Sequence, residues 1–157
     1  MQLSSSAFQQ ARSIPLRYTC DGENVSPALS WRGAPAETRS FALIMHDPDA
    51  PRAGGFTHWI VYNIPASVAA LSSNLPQEEQ IADLCLQGKN DAGKIGYIGP
   101  CPPSGTHRYL VRLYALGRVL NLEAGASHRQ LKEAMHGHVL AQAELTGTYA
   151  RISQRVA

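Results

Sequence analysis

Residues 96–109 read Gly96-Tyr97-Ile98-Gly99-Pro100-Cys101-Pro102-Pro103-Ser104-Gly105-Thr106-His107-Arg108-Tyr109, and an apolar, β-prone segment follows to Leu116. Proline fixes φ and lacks a backbone donor, and glycine tolerates positive φ, so the stretch predicts a shaped loop that leads into a strand. His107 and Tyr109 stand two residues apart and therefore share one face of that strand. Such a loop could hold a small polar ligand, or it could be a structural loop with a surface histidine.

The remaining hydrophobic pattern consists mainly of short segments that favour strands. Two apolar runs bounded by turn signals predict buried strands at 40–46 and 56–64. Weaker patterns predict three further strands, at 12–19, 29–31 and 139–152.

One segment favours a helix, which Ser127 would cap and Gly137 would end. Residues 67–84 read as irregular or weakly helical, and 86–108 as a long loop without regular elements. Because strands follow one another without helical crossovers, the sequence predicts a mainly β fold with mostly antiparallel sheets. We see no internal repeat or linker and expect a single domain over residues 1–157.

The composition excludes several classes of protein. Of the 157 residues, 44% are apolar and 17% charged, and the net charge of +2 is too weak and scattered to argue for nucleic-acid binding. No apolar run approaches the roughly 18 residues that a membrane span needs, and the first eight residues do not resemble a signal peptide. Three cysteines without a CxxC pattern fit a reducing compartment better than a disulfide framework, so we expect a cytoplasmic location.

Ionisable residues cluster where the predicted strands begin or end. Asp47 and Asp49 follow one strand, His58 lies in the next, and His107 and Tyr109 begin a third. If these strands are neighbours, the side chains converge at one sheet end. A carboxylate would raise the pKa of adjacent imidazoles, and cationic histidines with a tyrosine hydroxyl would suit an oxyanion. The alternative is that Asp47 caps a turn and His58 is a core histidine beside Trp59.

Other chemistries fit the sequence less well. Gly88–Lys94 matches the spacing of a P-loop, but Ile95 and a loop rich in glycine and proline follow where a hydroxyl residue and a helix are needed. A Cys101–His107 dyad is conceivable, although only that histidine would activate the thiol. His136 and His138 stand where Gly137 breaks the helical period, and no further ligand is spaced with them, so we expect neither a metal nor a cofactor.

Four ordered segments together resemble the phosphatidylethanolamine-binding protein family, in particular its bacterial branch, which is often labelled Raf-kinase-inhibitor-like. They are Cys20–Pro27, Asp47–Pro51, Thr57–Pro65 and Gly96–Tyr109. The resemblance implies two packed antiparallel sheets with a few short helices. It also implies a small anion pocket at one end, which in relatives accepts phosphate or a phosphorylated head group.

By the same resemblance, Asp47, His58, His107 and Tyr109 match the pocket positions. Pro102 and Pro103 fall in the loop that lines the pocket, while Asp49, Gly99 and Trp59 are expected to support it structurally. The chain offers no room for the C-terminal helix that closes the pocket in animal relatives, so a more open pocket is expected. Ile98 could narrow its mouth.

Three functional hypotheses follow. The first is a non-catalytic module that binds phosphate, phosphoethanolamine or a phospholipid head group, with the two histidines and the tyrosine as donors and Asp47 orienting the imidazoles. The second is a regulatory protein whose pocket loop docks an acidic or phosphorylated segment and inhibits a kinase or protease. The third and weakest is a hydrolase with a histidine base. A homodimer formed through sheet or loop surfaces is compatible with the sequence.

Overall fold

The computed structural model describes residues 1–152 of the chain. Ten strands make up most of the regular structure: β1 (Gln2–Ser4), β2 (Arg12–Ser13), β3 (Leu29–Arg32), β4 (Ser40–Asp47), β5 (Phe56–Pro65), β6 (Ala70–Leu71), β7 (Gln80–Ile81), β8 (Cys85–Gln87), β9 (His107–Leu116) and β10 (Val139–Tyr149). A 3-10 turn spans Leu16–Tyr18, and one α-helix, α1, spans His128–Met135.

The strands form two sheets. The smaller has the order β1-β3-β6, and the larger has the order β2-β10-β9-β4-β5-β8-β7. Neighbouring strands are antiparallel except β2 and β10, which are parallel. The predicted mainly β fold with two antiparallel sheets is confirmed.

The central strands of the larger sheet are buried on both faces. On one face, residues such as Leu43, Trp59 and Val111 join the core shared with the smaller sheet. On the other, Ile44 and Ile60 pack beneath α1. This double burial explains why β4 and β5 read as continuous apolar runs rather than as alternating patterns.

The predicted helix is confirmed. Ser127 caps it through a capping box, in which its side chain accepts from Gln130 N and the Gln130 side chain accepts from Ser127 N. Within the helix, Leu131 and Met135 are the buried residues. Gly137, with φ of 81°, lies just past its end, where the left-handed conformation favours glycine.

Two sequence-based assignments were wrong. The expected strand over 12–19 is only β2 followed by a 3-10 turn, because Pro15 supplies no backbone donor to continue a ladder. The stretch 86–108 is less irregular than expected: it contains most of β8, an isolated bridge between Lys89 and Ile95, and the start of β9.

The cysteines also differ from expectation. Cys20 and Cys101 form a disulfide across a sequence separation of 81 residues, and the free thiol is the buried Cys85. The expectation that the cysteines form no disulfide was therefore wrong for this pair, and the disulfide excludes a Cys101–His107 dyad. An odd number of cysteines without CxxC could not reveal a pairing that only the fold brings about.

In the portion that the structure describes, no helix has the length and apolar character needed to cross a membrane.

Candidate functional site

A cleft of about 220 Å³ opens where β4 ends and β5 and β9 begin. Its lining combines most of the site residues predicted from the sequence with several others: Asp47, Ala50, Pro51, Arg52, Phe56, His58, Ile98, Gly99, Cys101, Pro102, Pro103, His107 and Tyr109. The structure thus brings Asp47, His58, Pro102, Pro103, His107 and Tyr109 together. Asp49 and Trp59 stand outside the lining.

Asp47 and His107 form a buried pair at the base of the cleft. Asp47 Oδ2 accepts from His107 Nδ1 at 2.7 Å, and both side chains are almost fully enclosed. The bond assigns the Nδ1 proton and leaves His107 Nε2 as the ring nitrogen that can meet a ligand. The other carboxylate oxygen, Oδ1, accepts from Asp49 N at 2.7 Å, so the carboxylate is held at both ends.

A β-bulge carries His58 into the cleft. Met45 pairs with Trp59 and His46 with Thr57, so the ladder skips His58. Strict alternation would place His58 and Trp59 on opposite faces of the sheet, whereas the extra residue directs both toward the face between the two sheets. Spacing along the sequence gave no sign of the bulge.

The environment of His58 differs from the sequence-based expectation. Its Nδ1–H donates to the carbonyl of Ile98 at 2.7 Å, so a backbone group, and not Asp47, orients the ring. Burial lowers the pKa of His58, and this effect outweighs the opposing influences of the Ile98 carbonyl and Asp47. Asp47 does act to raise the pKa of His58, but the expectation that this pKa would be raised overall was wrong. Ile98 was noted only as a bulky residue at the mouth, and its carbonyl contact could not be read from the sequence.

Tyr109 contributes a hydroxyl without a partner. The residue is fully buried, and its Oη makes no hydrogen bond in the described part of the chain. Its ring meets the edge of His58 at a centroid separation of 5.2 Å. Burial, reinforced by the negative charges of Asp47 and Asp49, raises the pKa of the phenol, so the hydroxyl keeps its proton and is a ready donor. An unpaired buried polar group is costly and calls for an explanation.

Asp49 ties the β4–β5 loop to the start of β9. It accepts from Arg108 N and Nε through Oδ2, at 2.9 and 3.0 Å, and from an Arg108 terminal nitrogen through Oδ1 at 2.8 Å. These Arg108 hydrogen bonds lower the pKa of Asp49 to about 2. These contacts hold the β4–β5 loop against the start of β9, and a structural role for Asp49 in the site stays a prediction.

The proline-rich wall of the cleft is anchored to the segment before β3. Gly99 N donates to Asn24 Oδ1 at 2.7 Å, and Tyr97 Oη donates to the Tyr18 carbonyl at 2.6 Å. The Cys20–Cys101 disulfide adds a covalent link. A Cβ on Gly99 would lie 2.3 Å from the Tyr18 carbonyl oxygen, so this close approach requires glycine.

Trp59 supports the site from behind. Its indole N–H donates to Gln87 Oε1 at 2.8 Å, and its ring meets the edge of Tyr97 at a centroid separation of 5.5 Å. The side chain is fully buried. Trp59 therefore joins β5 to the loop that carries Ile98 and Gly99.

Comparison with known proteins identifies the protein family to which this fold and cleft belong. Residues 4–150 match the family described as phosphatidylethanolamine-binding protein. A UPF0098 protein of Methanothermobacter thermautotrophicus is 54% identical over 151 residues, covering 96% of this chain and 99% of the relative. A UPF0098 protein of Chlamydia muridarum is 50% identical, with coverages of 95% and 98%.

Two crystal structures agree. A phosphatidylethanolamine-binding protein homologue from Chlamydia trachomatis shares 46% identity at a TM-score of 0.87, covering 96% of this chain and 97% of the other. Escherichia coli YbcL, described as a member of the mammalian family, shares 32% identity at a TM-score of 0.89, with coverages of 96% and 98%. The chain belongs to the phosphatidylethanolamine-binding protein family, as the four sequence segments indicated.

Proposed function

We propose that the cleft binds a small oxyanion, such as phosphate or the phosphate of a head group, without transforming it. The observation that carries the proposal is the buried Tyr109 hydroxyl, a donor with no partner in the described structure, on a residue that lines the cleft together with two histidines. A ligand oxygen would satisfy the hydroxyl and remove the cost of leaving it unpaired. The apolar walls exclude water and strengthen such a bond.

The hydrogen bonds of the two imidazoles limit what their remaining nitrogens can offer an anion. Both rings hold their Nδ1 proton in bonds to Ile98 O and Asp47 Oδ2. In the neutral forms each Nε2 is therefore an acceptor and cannot donate to an oxyanion. A ligand that carries a proton can donate it to Nε2, and a ligand that draws a proton onto His58, whose pKa burial lowers, should bind more tightly as the pH falls.

The proposal is non-catalytic because the cleft presents no activated nucleophile. The Cys101 sulfur is in a disulfide, and Asp47 Oδ2 accepts from His107 while Oδ1 accepts from a backbone amide. Phosphomonoester turnover by the purified protein, abolished in His107→Ala and kept in the control His136→Ala, would instead establish a hydrolase.

The decisive experiment follows the imidazole NMR signals of His58 and His107 during titration with inorganic phosphate and phosphoethanolamine. We expect both histidines to shift together and saturate in the micromolar to millimolar range, since a few charge-assisted bonds hold a small ligand. His107→Ala should remove saturation, and the exposed His136→Ala should retain it. If neither ligand shifts His58 or His107 up to about 10 mM, the anion hypothesis is wrong and a regulatory role through protein docking becomes the working hypothesis.

A head group in a membrane and free phosphate share the chemistry that the cleft would recognise. Vesicles of phosphatidylethanolamine with phosphatidylcholine test the first source, and soluble phosphoethanolamine tests the second. Co-sedimentation with vesicles that His107→Ala abolishes would assign the lipid. Saturable binding of phosphoethanolamine without co-sedimentation would assign the soluble ligand.

The cytoplasmic location remains a prediction. The Cys20–Cys101 disulfide counts against it, because such bonds persist mainly in oxidising compartments. Blocking accessible thiols in intact cells, and the remaining thiols after denaturation without a reductant, decides the matter: one free thiol per chain in total indicates the oxidised form, and three indicate a reducing location.

A further inference from the structure

A second and larger groove, of about 880 Å³, lies on the other face of the larger sheet, beside α1. The groove and the cleft begin at the same ends of β4 and β5 but on opposite faces of the sheet, because consecutive side chains of a strand point to opposite faces. His46 and Thr57 line the groove, whereas Asp47 and His58 line the cleft. Its volume falls within the range typical of small-molecule sites, about 300–1,000 Å³. The family's anion pocket does not account for it.

Two histidines meet on one threonine at the inner end of this groove. The buried Thr57 hydroxyl lies 3.1 Å from His46 Nδ1 and 2.7 Å from His128 Nδ1. The rings of His46 and His128 approach edge to face at 5.7 Å between centroids. Thr57 N donates to Asp91 Oδ2 at 2.7 Å, which fixes the residue in place.

This arrangement engages Nδ1 of both rings. A hydroxyl has a single proton, so Thr57 donates to at most one imidazole and can accept from the other. The Nε2 atoms of His46 and His128 make no hydrogen bond among residues 1–152 and remain for a ligand. Gly55 packs against one of them: a Cβ there would lie 2.7 Å from His46 Nε2.

The charges around the histidines favour an anion. The groove is lined by Arg52, Asp91, Arg112, Arg129, Lys132, Glu133 and His136. Arg112 is paired with Glu144 and Arg129 with Glu133. Lys132 on α1 and Arg52 in the β4–β5 loop have no carboxylate partner in the described structure, although the Arg52 guanidinium stacks on Phe56.

Positive charges in the groove also affect the pKa of His128. Burial lowers its pKa first, and the positive potentials of His46 and Lys132 lower it further, while Asp91 opposes them. A bound anion would counteract the lowering of the His128 pKa by these positive charges. The positive potential around His128 therefore favours negative charge in the groove.

Apolar side chains form the rest of the groove. Ile44, Tyr114 and Met135 line it between the sheet and α1, and Val139 extends this surface at the start of β10. Val139 is among the exposed large hydrophobic residues of the chain. A ligand with an anionic end at the histidines could therefore lay a flat apolar body along this surface.

We propose that this groove is a second binding site, which takes a small organic anion: a phosphate or carboxylate group at His46 and His128, near Lys132, and an aromatic or aliphatic body over Ile44 and Tyr114. The site shares Arg52 with the lining of the cleft on the other face, but it does not rest on the function proposed for that cleft.

Titration with phenyl phosphate, benzoate and benzyl alcohol, followed by the imidazole signals of His46 and His128, tests this inference. We expect at least one of the two anions to shift both histidines to saturation and the uncharged alcohol to leave them in place. Saturation by phenyl phosphate alone or by benzoate alone supports the site and identifies the head group. Equal shifts with benzyl alcohol would contradict an anion site.

Matched variants separate this site from the cleft and from general electrostatics. Lys132→Ala should weaken binding at least fivefold, whereas Lys94→Ala, which removes the same charge elsewhere, should leave it unchanged. His107→Ala disables the cleft and should also have no effect here. Equal losses in Lys132→Ala and Lys94→Ala, or no response of His46 and His128 up to about 10 mM, would overturn the proposal.

Discussion

The Tyr109 hydroxyl is expected to reduce the stability of the folded protein and to strengthen phosphate binding. This buried hydroxyl lacks a partner in the described structure, so Tyr109→Phe removes an unsatisfied polar group and creates no large cavity. We expect the unfolding free energy to stay equal or to rise by up to about 1 kcal/mol, and phosphate binding to weaken by about 1–2 kcal/mol. Urea unfolding and phosphate titration of the same sample measure both quantities.

A loss of stability in Tyr109→Phe together with unchanged phosphate affinity would contradict this view. The hydroxyl would then have a structural partner rather than a place in a ligand site.

We expect two histidines, the buried His58 and the half-buried His128, to make stability depend on pH. Burial lowers the pKa of His58 and of His128, so near their ordinary value of about 6.5 the unfolded chain binds more protons than the folded chain. Stability should therefore be unaffected by these groups well above pH 6.5 and should fall as the pH drops below it. Asp49, with a pKa near 2, adds a separate loss only between about pH 4 and 2.

Urea unfolding at pH 7.5 and 5.5 measures the histidine contribution. The unfolding free energies at the two pH values should differ less in His128→Asn than in the parent protein. The exposed variant His136→Asn should keep the full difference. An equal pH dependence in all three proteins would show that His128 is not the source.

For individual residues, the sequence predicted which residue types line the cleft but not the hydrogen bonds that they make. Asp47, His58, His107 and Tyr109 were identifiable because loop signals and strand ends mark them. The partner of His58 could not be predicted, because the Ile98 carbonyl is a backbone group with no sequence signature. The second groove was missed because His46, Thr57 and His128 are distant in sequence and meet only through strand pairing and the position of α1.

Among the structural elements, the wall from Tyr97 to Pro103 depends on one close approach. A Cβ at Gly99 would lie 2.3 Å from the Tyr18 carbonyl oxygen and 2.4 Å from Asn24 Oδ1. Gly99→Ala must displace this wall, and we expect a loss of about 2–4 kcal/mol in unfolding free energy. Gly117→Ala is the matched control, since its nearest neighbours, all in Leu140, lie 3.6 Å or more away.

Denaturant unfolding of the two variants gives the comparison. Gly117→Ala should lie within about 0.5 kcal/mol of the parent protein. Similar effects of the two substitutions would show that the wall can move freely and that Gly99 has no special position.

For the whole molecule, the disulfide is expected to be a major stabilising link. Closing a separation of 81 residues restricts the unfolded chain, and by the chain-entropy account this contributes about 4 kcal/mol. The double variant Cys20→Ser and Cys101→Ser should lose stability of this order. Dithiothreitol should destabilise the parent protein and leave the double variant unchanged.

Cys85 serves as the internal reference. It is buried, and burial raises the pKa of its thiol to about 11, so it should react with thiol reagents only after unfolding. Equal stability of the parent protein with and without dithiothreitol would contradict a stabilising disulfide.

The overall architecture was predictable to the extent that hydrophobic runs report burial. The strands β4 and β5 were found because doubly buried strands are apolar throughout, and β9 was found because its buried residues alternate with less buried ones. The segment 12–19 was assigned wrongly because β-prone residues resemble a strand even where proline ends the ladder. The short strands β6, β7 and β8 span only two or three residues each, too few for any periodicity to appear.

The links between the proline-rich wall and the segment around Asn24 have a consequence for biosynthesis. Gly99 meets Asn24 across 75 residues, and Cys101 meets Cys20 across 81. During translation the Cys20 thiol must therefore stay reduced, and unprotected by its partner, while the next eighty residues are made. The cleft is completed only when β9 has emerged, so a ribosome-bound nascent chain that ends before Cys101 should lack the cross-link, and one that ends before β9 should lack the proposed ligand affinity.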